Sequence, residues 1–95
     1  MSVVILGGNE CMVRKYKELC QSFHCSAKVF PKMGGTLKGR LGQPDLLVLF
    51  TDTISHKMMQ NALNEAKGGS TVVERVRSSS MSALRGVLQA HTEAG

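Results

Sequence analysis

Leu46-Leu47-Val48-Leu49-Phe50 is an unbroken apolar run of strand-forming residues, and it narrows the possible folds more than any other stretch of the chain. A strand with one wet face alternates apolar and polar residues. A run with no polar member suits a strand covered on both faces, as in the centre of a parallel sheet flanked by helices. Val3-Val4-Ile5-Leu6 has the same character. Polar clusters accompany the apolar runs: Gly7-Gly8-Asn9 after the first, Thr51-Asp52-Thr53-Ile54-Ser55-His56-Lys57 after Phe50, and Arg75-Val76-Arg77-Ser78-Ser79-Ser80 after Thr71-Val72-Val73. In an open parallel sheet such strand-to-helix turns gather along one edge, where helix N-terminal amides face outward and ligands usually bind.

The remaining segments fit that frame. Asn9 is a suitable N-cap for a helix from Cys11 to Phe23, in which Met12, Tyr16, Leu19, Cys20 and Phe23 share one face. Ala27-Lys28-Val29-Phe30 reads as a second strand stopped by Pro31. Lys32 to Gln43 carries four glycines and reads as a loop or one short helix anchored by Leu37 and Leu41, the most mobile part of the chain. A helix from Ser55 to Lys67 places His56, Met59, Leu63 and Ala66 on one side and ends at Gly68-Gly69. Ser78 to Ser80 cap a last helix on which Met81, Leu84, Leu88 and His91 align. The order β-α-β-loop-β-α-β-α favours a single three-layer α/β domain over residues 1–95, Rossmann-like or receiver-like, with a mainly parallel four-stranded sheet.

Hydrophobic residues make up 42% of the 95, enough for one compact core, yet a chain this short buries a modest fraction of its surface, and a homodimer is expected. No apolar stretch approaches membrane-spanning length and no secretory pattern is present, so a cytoplasmic location without membrane contact is expected. Lys and Arg outnumber Asp and Glu by 12 to 7, which favours an anionic partner. Aromatic residues are only 4% of the chain and do not interleave with the basic ones, which argues against nucleic acid. Cys11, Cys20 and Cys25 lack metal-binding or CxxC spacing and read as reduced thiols. Cys20 sits on the apolar helix face, and the roles of Cys11 and Cys25 stay open.

The chemical candidates lie in the turns. Neither G-x-G-x-x-G nor G-x-x-x-x-G-K-[ST] occurs, so NAD and ATP use have no support. Gly7, Gly8 and Asn9 allow two readings, an approach for an anionic group or a plain tight turn. His56, at the head of a helix and on its inward side, is a candidate iron ligand or acid/base; the alternative is a histidine bonded to backbone. Lys57 and Met58 extend that site, although Met58 is more often packing than a ligand. Arg75, Arg77, Ser78, Ser79 and Ser80 form the best anion-binding candidate, against a plain helix cap with solvated arginines. Asp52 lacks the acidic neighbours of a phosphoacceptor site and reads as a helix cap with Thr53 or Ser55. Asp45 lies at the wrong end of its strand for chemistry, and His24 and His91 read as structural. With no G-x-S-x-G and no orienting carboxylate for His56, an enzyme is not expected.

The stretches S-V-V-I-L-G-G-N-E, P-D-L-L-V-L-F-T-D-T-I-S-H-K-M and S-S-S-M-S-A-L-R together resemble the bacterial family called domain of unknown function 2325, over nearly the whole chain. The resemblance implies a small Rossmann-like cytoplasmic domain without an established enzymatic activity, some members being associated with haem binding as dimers. By that association His56 is the leading iron ligand, with Arg75 and Arg77 as propionate partners. The chain departs from the family pattern in having Arg77 where a histidine often precedes the serine run. Two functional readings follow. One is a non-enzymatic haem-binding or haem-sensing homodimer with His56 as axial ligand. The other is a binding or regulatory module that holds a phosphorylated or carboxylated small molecule at helix N-termini.

Overall fold

A computed structural model describes residues 1–31, 42–67 and 69–92. Among these residues, strands β1 (Ser2–Leu6), β2 (Ser26–Phe30), β3 (Leu46–Phe50) and β4 (Val72–Val76) and helices α1 (Val13–Ser22), α2 (His56–Ala66) and α3 (Met81–Thr92) follow the order β1-α1-β2-β3-α2-β4-α3. All strand pairings are parallel and the order is β2-β1-β3-β4. The Rossmann-like α/β architecture expected from the sequence is therefore present. The glycine-rich stretch from Lys32, read as a loop or short helix, lies outside the described residues as far as Leu41, as does Gly68.

The two uninterrupted apolar runs take the two central positions. Every residue from Val3 to Leu6 and from Leu46 to Phe50 is at most 3% exposed. Because side chains alternate across a strand, each run feeds two cores. Val3, Ile5, Leu46, Val48 and Phe50 meet Tyr16, Leu19 and Cys20 of α1 and Leu84 and Leu88 of α3 on one face. Val4, Leu6, Leu47 and Leu49 meet Ala62, with Met58, Met59 and Leu63 of α2, on the other. The result is three layers, with α1 and α3 opposite α2.

The N-terminal end of the sheet is fixed by Asp45. Its carboxylate accepts from the Ser2 amide at 2.8 Å and its carbonyl from Val72 at 3.0 Å. The residue thus serves the fold, in keeping with its place at the end away from the chemistry. At the C-terminal end of α3 (Met81–Thr92), His91 Nε2 lies 2.7 Å from Glu74 Oε1 on the edge strand β4, a structural role that ties helix to sheet.

His24 ends α1. Its φ is +60°, its amide donates to the Gln21 carbonyl at 2.9 Å, and the next amide, Cys25, donates to the Cys20 carbonyl at 2.9 Å. This pair of bonds is a Schellman motif with His24 in the left-handed position. The motif folds Cys25 back under the helix beside Cys20, and both are buried. Burial, reinforced by the neighbouring Cys25, pushes the Cys20 thiol up to about 11. That environment accounts for Cys20 as core packing, and Cys25 joins it there, while Cys11 is exposed.

Candidate functional site

Strand order reverses between β1 and β3: the chain goes from β1 to one neighbour, β2, and then crosses to the other side. The crevice beyond the C-terminal ends of such a pair is where open α/β sheets hold ligands. The turn after β1, Gly7 to Asn9, and the turn after β3, Thr51 to Ser55, flank it, and the turn from β4 to α3 adjoins them.

The β1 turn is built by two consecutive glycines in the left-handed region, with φ of +92° at Gly7 and +90° at Gly8. Its amides are committed inside the protein. Gly7 N–H donates to the Phe30 carbonyl at 2.9 Å. Gly8 N–H donates to Thr53 Oγ1 at 2.7 Å, and Asn9 N–H to the Tyr16 hydroxyl at 3.3 Å. The Asn9 side chain accepts from the Cys11 amide at 2.9 Å, the cap expected of it, and a short 3-10 turn, Glu10–Met12, leads into α1. Of the two readings of Gly7, Gly8 and Asn9, the geometry matches the tight turn: these donors have acceptors already.

The β3 turn crosses to its neighbours on both sides. Thr53 Oγ1, besides accepting from Gly8, donates to the Phe50 carbonyl at 3.1 Å. Asp52 Oδ2 lies 3.5 Å from Ser79 Oγ. The cap of α2 is Ser55, whose hydroxyl accepts from Met58 N–H at 3.1 Å. Asp52 and Thr53 therefore link turns, where the sequence suggested capping.

His56 and Lys57 are the first two residues of α2, and both side chains are exposed. The inward placement expected for His56 is not observed. The buried side of α2 runs through Met58, Met59, Ala62, Leu63 and Ala66, centred on Ala62. At about 100° per residue His56 falls roughly a third of a turn from that centre, and it sits in the first turn, next to the end of the sheet. Its imidazole has no hydrogen-bond partner among the described residues. Met58 is half-buried and packs against the sheet.

The arginine-serine cluster divides. Arg75 belongs to β4, paired with Leu49, rather than to the turn. Val73, two residues earlier, packs on the α2 face, so Arg75 shares that face. Arg77 and Ser78 are exposed in the turn itself. Ser78 Oγ accepts from Ser80 N–H, and Ser80 Oγ caps α3 by accepting from Ala83 N–H, both at 3.2 Å. Ser79 contributes its carbonyl, which accepts from the Tyr16 hydroxyl at 2.7 Å.

The links by which Thr53 and Tyr16 hold this edge together escaped the sequence reading. Tyr16 looks like one more apolar position on α1. The available signal is that a fully buried tyrosine needs a partner for its hydroxyl, and that the paired glycines eight and nine residues earlier leave room for a ring.

The edge therefore presents the exposed side chains of Lys57 and Arg77, the Ser78 hydroxyl, and the amides of the first two residues of α2 and of α3, which no helix can satisfy internally. The described residues contain no group of three or more His, Cys, Asp or Glu side chains able to hold a metal ion. They also contain no helix long and apolar enough to cross a membrane.

A family model described as an uncharacterized protein conserved in bacteria, domain of unknown function 2325, matches residues 2–91. No curated protein and no solved structure matches.

Proposed function

The chain belongs to the bacterial family domain of unknown function 2325, and from its geometry we propose that it is a non-enzymatic binding or regulatory module for a small phosphorylated or carboxylated molecule. The observation that carries this reading is the division of donors at the switch point. The amides of Gly7, Gly8 and Asn9 are engaged within the protein, whereas the amides of His56 and Lys57 at the start of α2 have no acceptor among the described residues. Exposed Lys57 and Arg77 flank them, and the chain carries a net charge of +5. Helix N-termini and guanidinium groups both favour negative charge.

The test is thermal stability across a panel of inorganic phosphate, nucleoside monophosphates, sugar phosphates and dicarboxylates at low and high salt. Stabilisation that saturates, weakens with salt and falls in Lys57→Ala and Arg77→Ala is expected. A melting temperature unmoved by every member of the panel would refute the reading.

A second reading keeps one observation of its own: the His56 imidazole is exposed and unpartnered, hence accessible to iron. The residues around it do not enclose a haem within one chain, because Ile54, Met58 and Met59 pack against the sheet. Haem binding therefore needs a second surface over His56, as in the homodimer expected from the sequence. An absorption titration with ferric and ferrous haem, repeated on His56→Ala with mass followed by light scattering, decides it. A saturable spectrum lost in the variant supports the reading; the same spectrum in both proteins, or none, removes it.

A further inference from the structure

We propose that Tyr16 is a positioning residue that couples the β1 turn to the β4–α3 turn, so that a ligand seated at the β4–α3 turn is felt at the β1 turn. This inference rests on the anion-binding reading for its ligand and on geometry for the coupling. The phenol has two strong partners on different turns: it accepts from Asn9 N–H at 3.3 Å and donates to the Ser79 carbonyl at 2.7 Å. Those two residues are 70 positions apart in sequence, and Ser79 stands one residue before the cap of α3. Together with Gly8 to Thr53 and Ser79 to Asp52, the phenol closes a ring of hydrogen bonds through all three turns.

The ring has little freedom to adapt. Tyr16 is 0% exposed, and its aromatic ring lies 5.4 Å from that of Phe50, tilted by 42°. A Cβ added at Gly8 would come within 2.8 Å of Tyr16 Cε2 and 3.0 Å of its hydroxyl oxygen, so the paired glycines are what let the phenol reach beneath the turn. A side chain pinned on one face by Phe50 and on another by backbone transmits displacement instead of absorbing it. Its hydroxyl therefore sets where Ser79, and with it the first turn of α3, stands relative to β1 and β3.

The chain has one tyrosine and no tryptophan, which makes Tyr16 its own reporter. Protein labelled with 3-fluorotyrosine is titrated with inorganic phosphate and with a nucleoside monophosphate, while backbone amides are followed in parallel. The expected result is a fluorine resonance that moves with the same midpoint as the amides of Arg77 to Ser82. In Tyr16→Phe, anion affinity is expected to fall about three- to tenfold, the worth of one hydrogen bond, and amide exchange to quicken at Asn9 and at Ser80 to Ser82 together. Unchanged affinity in Tyr16→Phe would overturn the inference and leave the anion reading standing. An anion that fails to bind the wild-type protein would overturn that reading, and the exchange measurement would still decide the coupling: acceleration at Asn9 alone refutes it. If Tyr16→Phe does not fold, the labelled wild-type protein supplies the answer, since a fluorine resonance indifferent to bound anion refutes the coupling equally.

Discussion

Three glycines in this chain are chemically identical and structurally opposite, and replacing each by alanine tests the account of the edge. At Gly7 the φ of +92° is one that an L-residue adopts only under strain, costing about 1 to 3 kcal/mol. The added Cβ would lie 2.6 Å from Thr53 Oγ1, 2.7 Å from Ile54 Cγ2 and 3.1 Å from the Phe50 carbonyl oxygen. Relieving that contact displaces Thr53, at roughly 1 to 3 kcal/mol for overpacking, and weakens the bond from Gly8. Gly7→Ala should therefore lose roughly 2 to 6 kcal/mol, a large part of the total for a small domain. Gly8→Ala, pressed against Tyr16 and Phe50, belongs in the same range. Gly86 lies inside α3 with open space where its Cβ would be, so Gly86→Ala should gain about 0.5 to 1 kcal/mol from helix propensity.

Urea unfolding followed by far-ultraviolet circular dichroism measures all three, with thermal melts as a check. Gly86→Ala should melt about 2 to 8 °C higher. An unchanged Gly7→Ala would refute the left-handed turn, and with it the Gly8 to Thr53 link. A destabilised Gly86→Ala would show that the outer face of α3 is closely approached by something that a methyl group displaces.

The other predictions concern the helix end, the thiols and the charge at the edge. His24→Gly should stabilise the protein by roughly 0.5 to 1 kcal/mol, the left-handed cost at φ +60° less the extra entropy of an unfolded glycine, and denaturant unfolding would show it. The Cys20 thiol is raised from 9.0 to about 11 on folding. The folded state thus holds its proton more tightly, and stability complete below about pH 9 should decline by roughly 2 to 3 kcal/mol as pH rises to about 11. Cys20→Ala should flatten that part of the pH profile; a profile unchanged in the variant would reject the burial argument. A thiol reagent should modify exposed Cys11 rapidly and buried Cys20 and Cys25 only on unfolding, as peptide mass mapping would show. Asp52→Asn should strengthen anion binding up to about fivefold by removing a carboxylate beside the two helix starts, and an affinity lowered in calorimetric titration would count against the proposed location.

The fold was legible because its strongest determinants are local. Unbroken apolar runs at Val3 to Leu6 and Leu46 to Phe50 specify strands covered twice, and the helix periods and caps at Asn9 and Ser80 follow from residue chemistry alone. The limits of β4 were less legible. Val72 to Val76 mixes Glu74 and Arg75 into an edge strand, so Arg75 read as part of the turn when its backbone is in the ladder. His56 was misplaced for a related reason: helical periodicity puts it near the apolar stripe, but a residue in the first turn stands next to the end of the sheet, with nothing there to bury it. Thr53 and Tyr16 act across 45 and 63 residues of sequence. No local pattern encodes such partners, and only the burial of a lone tyrosine hints that one is required.

What remains open at the edge follows from what closing it consumes. Three turns that meet at a switch point carry many backbone donors, and each donor left unpaired in a buried place costs stability. The chain meets that demand with Thr53, Asn9, Ser55, Ser78, Ser80 and the Tyr16 phenol. The first-turn amides of α2 and α3 differ in kind, since their orientation is set by the helix and one cap reaches only the third of them. Ser55 satisfies Met58 and Ser80 satisfies Ala83, each the third residue of its helix. The amides before those positions face outward at the same edge as Lys57 and Arg77. A turn that is satisfied internally supplies rigidity, and the helix starts it fixes supply the donors. This division is how a chain without a phosphate-loop signature would preorganise the anion-binding edge proposed for it.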